Sequence, residues 1–191
     1  MANGWGCGIS AYAVVLIAGL VGRSGVADTP EALQRTDVLV AAAVLLTIEF
    51  VADKIPLVDS AWDSVHTVVR PAIGGVLGAM LAGDASTLAQ AVAAAGTGGT
   101  ALVSHLEKGG IRLAINASPE PVSNVAASLA EDGAVAGVCL LAWQHPWIAA
   151  VIALTLLVAG ASLAVFLVSR LRRGLTRLQG GRVRRPDGGP P

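Results

Sequence analysis

Aromatic residues are scarce in this chain, charge is sparse and cysteine is nearly absent, and each shortage excludes something. Two Phe, one Tyr and four Trp make up 4% of 191 residues, too few for a surface that stacks nucleotides. Charged residues reach only 14%, against about 25% in ordinary soluble domains. The net charge is zero, so nothing steers nucleic acid towards the protein as a whole. Cys7 and Cys139 are remote from each other and match no zinc, haem or redox spacing, so they read as small apolar fillers. No Walker loop, GxSxG, HExxH, EF-hand loop or CxxC pair is present, and no cofactor or resident metal is expected. The GTGGT run from Gly96 to Thr100 lacks a following Lys and sits among alanines, which suits close helix packing better than a phosphate cradle. Residues 1–8 lack the basic start of a signal peptide and no small-x-small cleavage site follows, so the first apolar segment is expected to be retained.

What remains is apolar and small. Hydrophobic residues make up 54%, the mean hydropathy is +0.68 and there are 23 Gly. Small residues let helix backbones approach in lipid, where no hydrophobic drive brings helices together. A coding bias towards Ala, Gly, Val and Arg accounts for part of this composition, but not for the arrangement of apolar residues in spans. Apolar runs cover residues 9–22, 38–52, 72–82, 88–103, 122–143 and 147–168. The expected fold is therefore an all-α integral membrane protein of about six transmembrane or re-entrant helices, with a helical membrane domain over 1–170. A basic tail, 171–191, is expected to be disordered and cytoplasmic. With the Arg170–Arg185 tail inside, six crossings put eleven Lys and Arg inside and two outside, so both termini are expected in the cytoplasm. A four-crossing arrangement with re-entrant middle spans keeps the same sidedness. Glu49 with Lys54, and Glu107 with Arg112, repeat one spacing after an apolar run, a trace of two weakly related helical repeats.

Several polar residues fall on shared helix faces. Glu49 and Asp53 lie one turn apart. Asp59, Asp63, His66 and Arg70 recur at helical spacing, as do His105, Lys108, Arg112 and Asn116, unless Gly109 and Gly110 interrupt that helix. Glu120, Asn124, Ser128 and Glu131 line a fourth face, with Asp132 beside it. For the Asp59–Arg70 stripe, an interfacial amphipathic helix with internal ion pairs is the competing reading. For Lys108 and Arg112 it is cytoplasmic anchoring. Glu131 and Asp132 lie deep in an apolar run, where a carboxylate costs a few kcal/mol unless paired, protonated or facing water.

The run EFVADKIPLVDSAWDSVHTVVRP from Glu49 to Pro71 resembles the signature of a bacterial membrane family of unknown function, domain 4126. The Lys108–Arg112 spacing, NASPEPVSN from Asn116 and SLAED from Ser128 extend the likeness, which covers roughly residues 8–168. The resemblance implies an all-helical membrane protein of the bacterial inner membrane and no established activity.

These features point to a small transporter or channel-like protein with a polar intramembrane site. Glu49, Asp53, Lys54, Asp59, Asp63, His66, Arg70, His105, Lys108, Arg112, Asn124, Glu131 and Asp132 are its expected lining. Carboxylates outnumber cations there, so a proton, a cation or a lipid headgroup is the expected ligand. Membrane lipids and a second copy of the chain are the expected partners. Two other readings stand beside it: a membrane enzyme acting on a lipid headgroup, with Asp59, Asp63 and His66 holding a metal, and a scaffold without flux.

Overall fold

The first helix of the chain lies at the centre of the others, buried along most of its length. The computed structural model describes residues 1–116 and 121–183, without the side chains of 56, 57, 116, 121, 124 and 174–183. The described residues form α1 (Ala2–Arg23), α2 (Glu31–Gln34), α3 (Thr36–Ala52), α4 (Pro56–Leu81), α5 (Thr87–Asn116), α6 (Pro121–Gln144) and α7 (Pro146–Val183), with no strand among them. Proline opens α4, α6 and α7, where its missing N–H costs nothing and its fixed φ suits a first turn. Gly25 and Gly83, at φ +70° and +55°, turn the chain after α1 and α4, a conformation that other residues rarely adopt.

Neither proline nor paired glycine interrupts the two long central helices. Helix α4 continues through Pro71, and α5 continues through Gly109 and Gly110. Helix α7 carries the backbone to Val183, and the rest of the basic tail lies outside the described residues.

The expectation of six spans needs correction. Four helical stretches are long and apolar enough to cross a membrane: Ala2–Arg23, Val58–Leu81, Val125–Gln144 and Pro146–Arg173. Helix α3 has only 17 residues, about 26 Å at 1.5 Å per residue, against a hydrocarbon thickness of about 30 Å. Helix α5 is long, but Thr, Gly, Ser and Gln dilute its apolar half and charges occupy the other. The outer surface is apolar all the same. Val65, Val68 and Val76 of α4 and Trp147, Val151, Val158 and Val165 of α7 are all exposed, a surface suited to lipid and unusual for a protein in water.

Inside, small residues bring backbones together. A Cβ on Gly4 would lie 2.8 Å from the Thr97 carbonyl oxygen, and one on Gly8 would overlap the Ala101 carbonyl. A Cβ on Gly78 would lie 2.5 Å from the Ala93 carbonyl, and one on Gly98, within the GTGGT run, 2.9 Å from that of Pro71. Helices α1, α4 and α5 thus touch backbone to backbone, as small residues four apart permit in lipid. Cys7 and Cys139 are both buried and unpaired, in the filler role expected of them.

Candidate functional site: a broken helix tied to buried charges

Ser10 breaks α1. Its backbone is extended, at φ −149° and ψ 95°, inside an otherwise helical run. Two half-helices result, residues 2–9 and 11–23, and the break strands backbone groups at depth in the protein. Three of these groups meet side chains. Ser10 Oγ accepts from the Ala13 amide at 3.4 Å, as an N-cap does. The Ser10 hydroxyl in turn donates to Glu49. The freed carbonyls of Gly8 and Ile9 accept from Arg70 Nη1 and Lys108 Nζ, each at 3.3 Å. Cations therefore meet the negative end of the first half-helix and a carboxylate meets the positive end of the second, as the helix dipoles favour.

Arg70 is the hub of one cluster. It is 0% exposed, and its Nη2 lies 2.7 Å from Glu49 while Nη1 lies 3.0 Å from Asp63. Arg70 Nη1 also sits 2.7 Å from His105 Nδ1. A guanidinium can only donate, so Nδ1 of His105 is the acceptor. His105 Nε2 then carries the proton, donating to the Asp63 carbonyl at 3.1 Å with the Thr67 hydroxyl 3.0 Å away. The same logic fixes His66. The Trp62 carbonyl, 2.8 Å from His66 Nδ1, can only accept, so in the neutral ring Nε2 accepts from the Tyr12 hydroxyl at 2.9 Å. Trp62 stacks on the ring at 4.6 Å and Tyr12 meets it edge-on.

Lys108 and Arg112 form the second cluster, one turn apart on α5. Lys108 Nζ is 2.6 Å from Asp53 Oδ2 and 3.8 Å from Glu131. Arg112 holds both oxygens of Glu131, at 2.7 and 3.3 Å, and donates to the Asp53 carbonyl at 3.0 Å. Fixed fork geometry of this kind makes an ion pair strong and directional.

Two clefts approach this second cluster from opposite sides of α5. One, of about 350 Å³, lies between α4 and α5 and is lined by Asp59, Asp63, Thr67, His105 and Arg112 among others. The other, of about 230 Å³, lies among α1, α5, α6 and α7 and reaches Lys108 and Glu131.

Of the expected lining, Glu49, Asp53, Asp63, Arg70, His105, Lys108, Arg112 and Glu131 come together around the break in α1. Asp59 is fully buried on the wall of the larger cleft, and His66 is buried beside the network, reached through Tyr12. Their burial rules out the interfacial helix, which would turn this stripe to water or headgroups. Lys54 and Asp132 lie to the side. The Lys54 ammonium sits 3.0 Å from the Phe50 ring centroid and bonds the Phe50 carbonyl. Asp132 opens into an apolar cavity with Leu16, Ile17, Leu46 and Phe50. The Asn124 side chain lies outside the described residues. The metal-holding arrangement of Asp59, Asp63 and His66 does not form: among the described residues no three such groups converge, because His66 is engaged by Tyr12 and Trp62.

The site also holds residues that helical spacing passed over. Ser10 and Tyr12 belong to a stretch that reads as ordinary apolar helix, and Trp62 lies off the charged face of the Asp59–Arg70 stripe. Only the polar hydroxyl of Ser10 amid apolar residues, two positions after Gly8, could have hinted at a break.

No curated protein and no solved structure matches the chain. The signature from Glu49 to Pro71 supplies much of the buried network, and a family model matches residues 1–166: the chain belongs to the family defined by the domain of unknown function DUF4126.

Proposed function

We propose that this protein moves a proton or a small cation across a bacterial inner membrane, through the polar core around the break in α1. The observation that carries this reading is that break. A helix interrupted at depth, with its carbonyls and its cap tied to charged side chains, recurs where membrane proteins build ion sites. A passive anchor has no need of four buried or half-buried cations opposed by seven carboxylates, from Glu49, Asp53, Asp59, Asp63, Glu107, Glu131 and Asp132.

Glu131 is held by Arg112 and faced by Lys108, and Asp53 pairs with both of these cations as well. The knot of Lys108, Arg112, Asp53 and Glu131 stands between the two clefts, so loosening it would connect them. Proton flux into liposomes under a pH gradient tests this. Wild-type protein is expected to conduct, and Glu131→Gln and His66→Ala, each checked for folding, are expected to lower flux at least about tenfold, in the range that mutating proton-handling groups produces. Absence of flux from folded wild-type protein under any gradient would sink ion transport.

All six long helices lie in the bilayer in this reading, since α3 exposes Val40, Val44 and Ile48 and α5 exposes Leu88 and Val92. Four crossings and six both leave the termini on one side, and the basic tail assigns that side to the cytoplasm. With six crossings, a membrane-impermeant thiol reagent applied to intact cells should spare a cysteine placed at Leu171 and label one placed at Asp84; four crossings put Asp84 inside and leave both unlabelled, and labelling at Leu171 would reverse the orientation.

A further inference from the structure

Glu107, like Asp132, is a carboxylate near the core that the charge network leaves out. It sits on α5 next to Lys108, and both line the cleft of about 230 Å³, but Lys108 is bound to Asp53 while Glu107 has no such pair. The residue is 7% exposed and its Oε1 has no hydrogen-bond partner among the described residues. Its carboxylate lies directly over Gly160 of α7, where a Cβ would stand 2.7 Å from Oε2. A buried carboxylate without a partner is costly, and helix α7 offers a glycine at the one place where any side chain would displace it.

The walls around it narrow the choice of ligand. Trp5 and Ile9 of α1 and Leu156 and Leu163 of α7 are apolar. The charged groups facing the cleft are Lys108 on the same helix, bound at 2.6 Å to Asp53, and Glu131 on α6, bound at 2.7 Å to Arg112; α1 and α7 contribute none. An anion would meet two carboxylates. Calcium or magnesium would find too few oxygens, since each takes about six or more, and no His or Cys lines the cleft for zinc. A neutral molecule would leave Glu107 unbalanced.

We infer that this cleft binds a monovalent organic cation, an amine or quaternary ammonium with apolar substituents, whose charge pairs with Glu107 while its apolar part lies between Trp5 and the leucines of α7. The volume fits a compact ion of that kind, and an aromatic wall adds a cation–π contact. A proton and the organic cation then compete for one carboxylate, which deepens the proposed reading of the core as a cation-handling site and rests on it.

The test is titration of benzyltrimethylammonium into the full chain in detergent micelles, followed calorimetrically, at a pH well above the carboxylate range and at one within it. Saturable binding at one ion per chain is expected, weaker at the lower pH. Glu107→Gln is expected to weaken binding at least about tenfold, the loss that follows removal of a buried charge partner. Gly160→Ala, whose new methyl pushes the Glu107 carboxylate aside, is expected to weaken it too, and decides the matter if the Gln variant does not fold. Unchanged binding in a folded variant, or none by folded wild-type protein, would overturn the proposal. Proton flux measured on the same preparations separates the two readings: binding without flux removes transport and leaves the site, and flux without binding does the reverse.

Discussion

Arg70→Ala is expected to destabilise the protein by about 3–5 kcal/mol, the scale for removing one member of a buried charge cluster. The loss comes less from the contacts removed than from what stays behind. Glu49 and Asp63 would face each other without their shared cation, and the Gly8 carbonyl and His105 Nδ1 would each lose a donor. No water from outside easily replaces them, because Arg70 is 0% exposed and Glu49 only 2%. Thermal unfolding in mixed micelles should show the variant melting far below wild type or failing to fold. A triple variant, Arg70→Met with Glu49→Gln and Asp63→Asn, separates charge from contact. It should recover much of the loss, since an apolar or neutral replacement of a whole buried cluster is often tolerated. A single Arg70→Ala variant as stable as wild type would mean that water reaches the cluster freely and that its carboxylates need no partner.

The part of this architecture that was legible in the sequence is the part written in periodicity. Asp59, Asp63, His66 and Arg70 share a helix face whatever surrounds them, and α4 does bury that face, with Asp63 and Arg70 in direct contact. The direction of burial was not legible. A stripe of charges beside a stripe of valines suits a helix lying at a membrane surface just as well, and only the tertiary partners on α1, α3 and α5 turn it inwards. The break at Ser10 escaped for a related reason. Nothing local forces it: residues 9–22 read as good helix, and the extended backbone is held by Glu49 from α3 and by Arg70 and Lys108 from α4 and α5. Tertiary contacts overrode local preference there, as they do at functional sites. Glu107 escaped because nothing in the spacing tells it from its neighbours His105 and Lys108, which bond to Arg70 and Asp53 while it has no such pair. The count of spans failed where length and apolarity part company, at the short α3 and the Thr- and Gly-diluted α5.

Gly8 should be the position where the smallest change has the largest consequence for both fold and site. A methyl there would overlap the Ala101 carbonyl and stand 2.7 Å from the Ser104 side chain. The carbonyl is backbone and cannot swing aside, so α1 and α5 must separate. Overpacking of this kind costs about 1–3 kcal/mol, and Gly8→Val should lie at or beyond the upper end. Separation would also draw the Gly8 carbonyl away from Arg70 and the Ile9 carbonyl from Lys108. Flux should therefore fall in Gly8→Ala even where the fold survives. Gly137 supplies the contrast. It lies on α6 with nothing within 4 Å of its notional Cβ, so Gly137→Ala should leave flux intact and raise stability by up to about 1 kcal/mol, from helix propensity alone. The same substitution thus changes sign between two helical glycines, depending only on what faces the new methyl. Thermal melts of the two alanine variants read the difference directly. Equal shifts in both would mean that α1 and α5 do not meet backbone to backbone, and the geometry that aims Gly8 at Arg70 would fall with it.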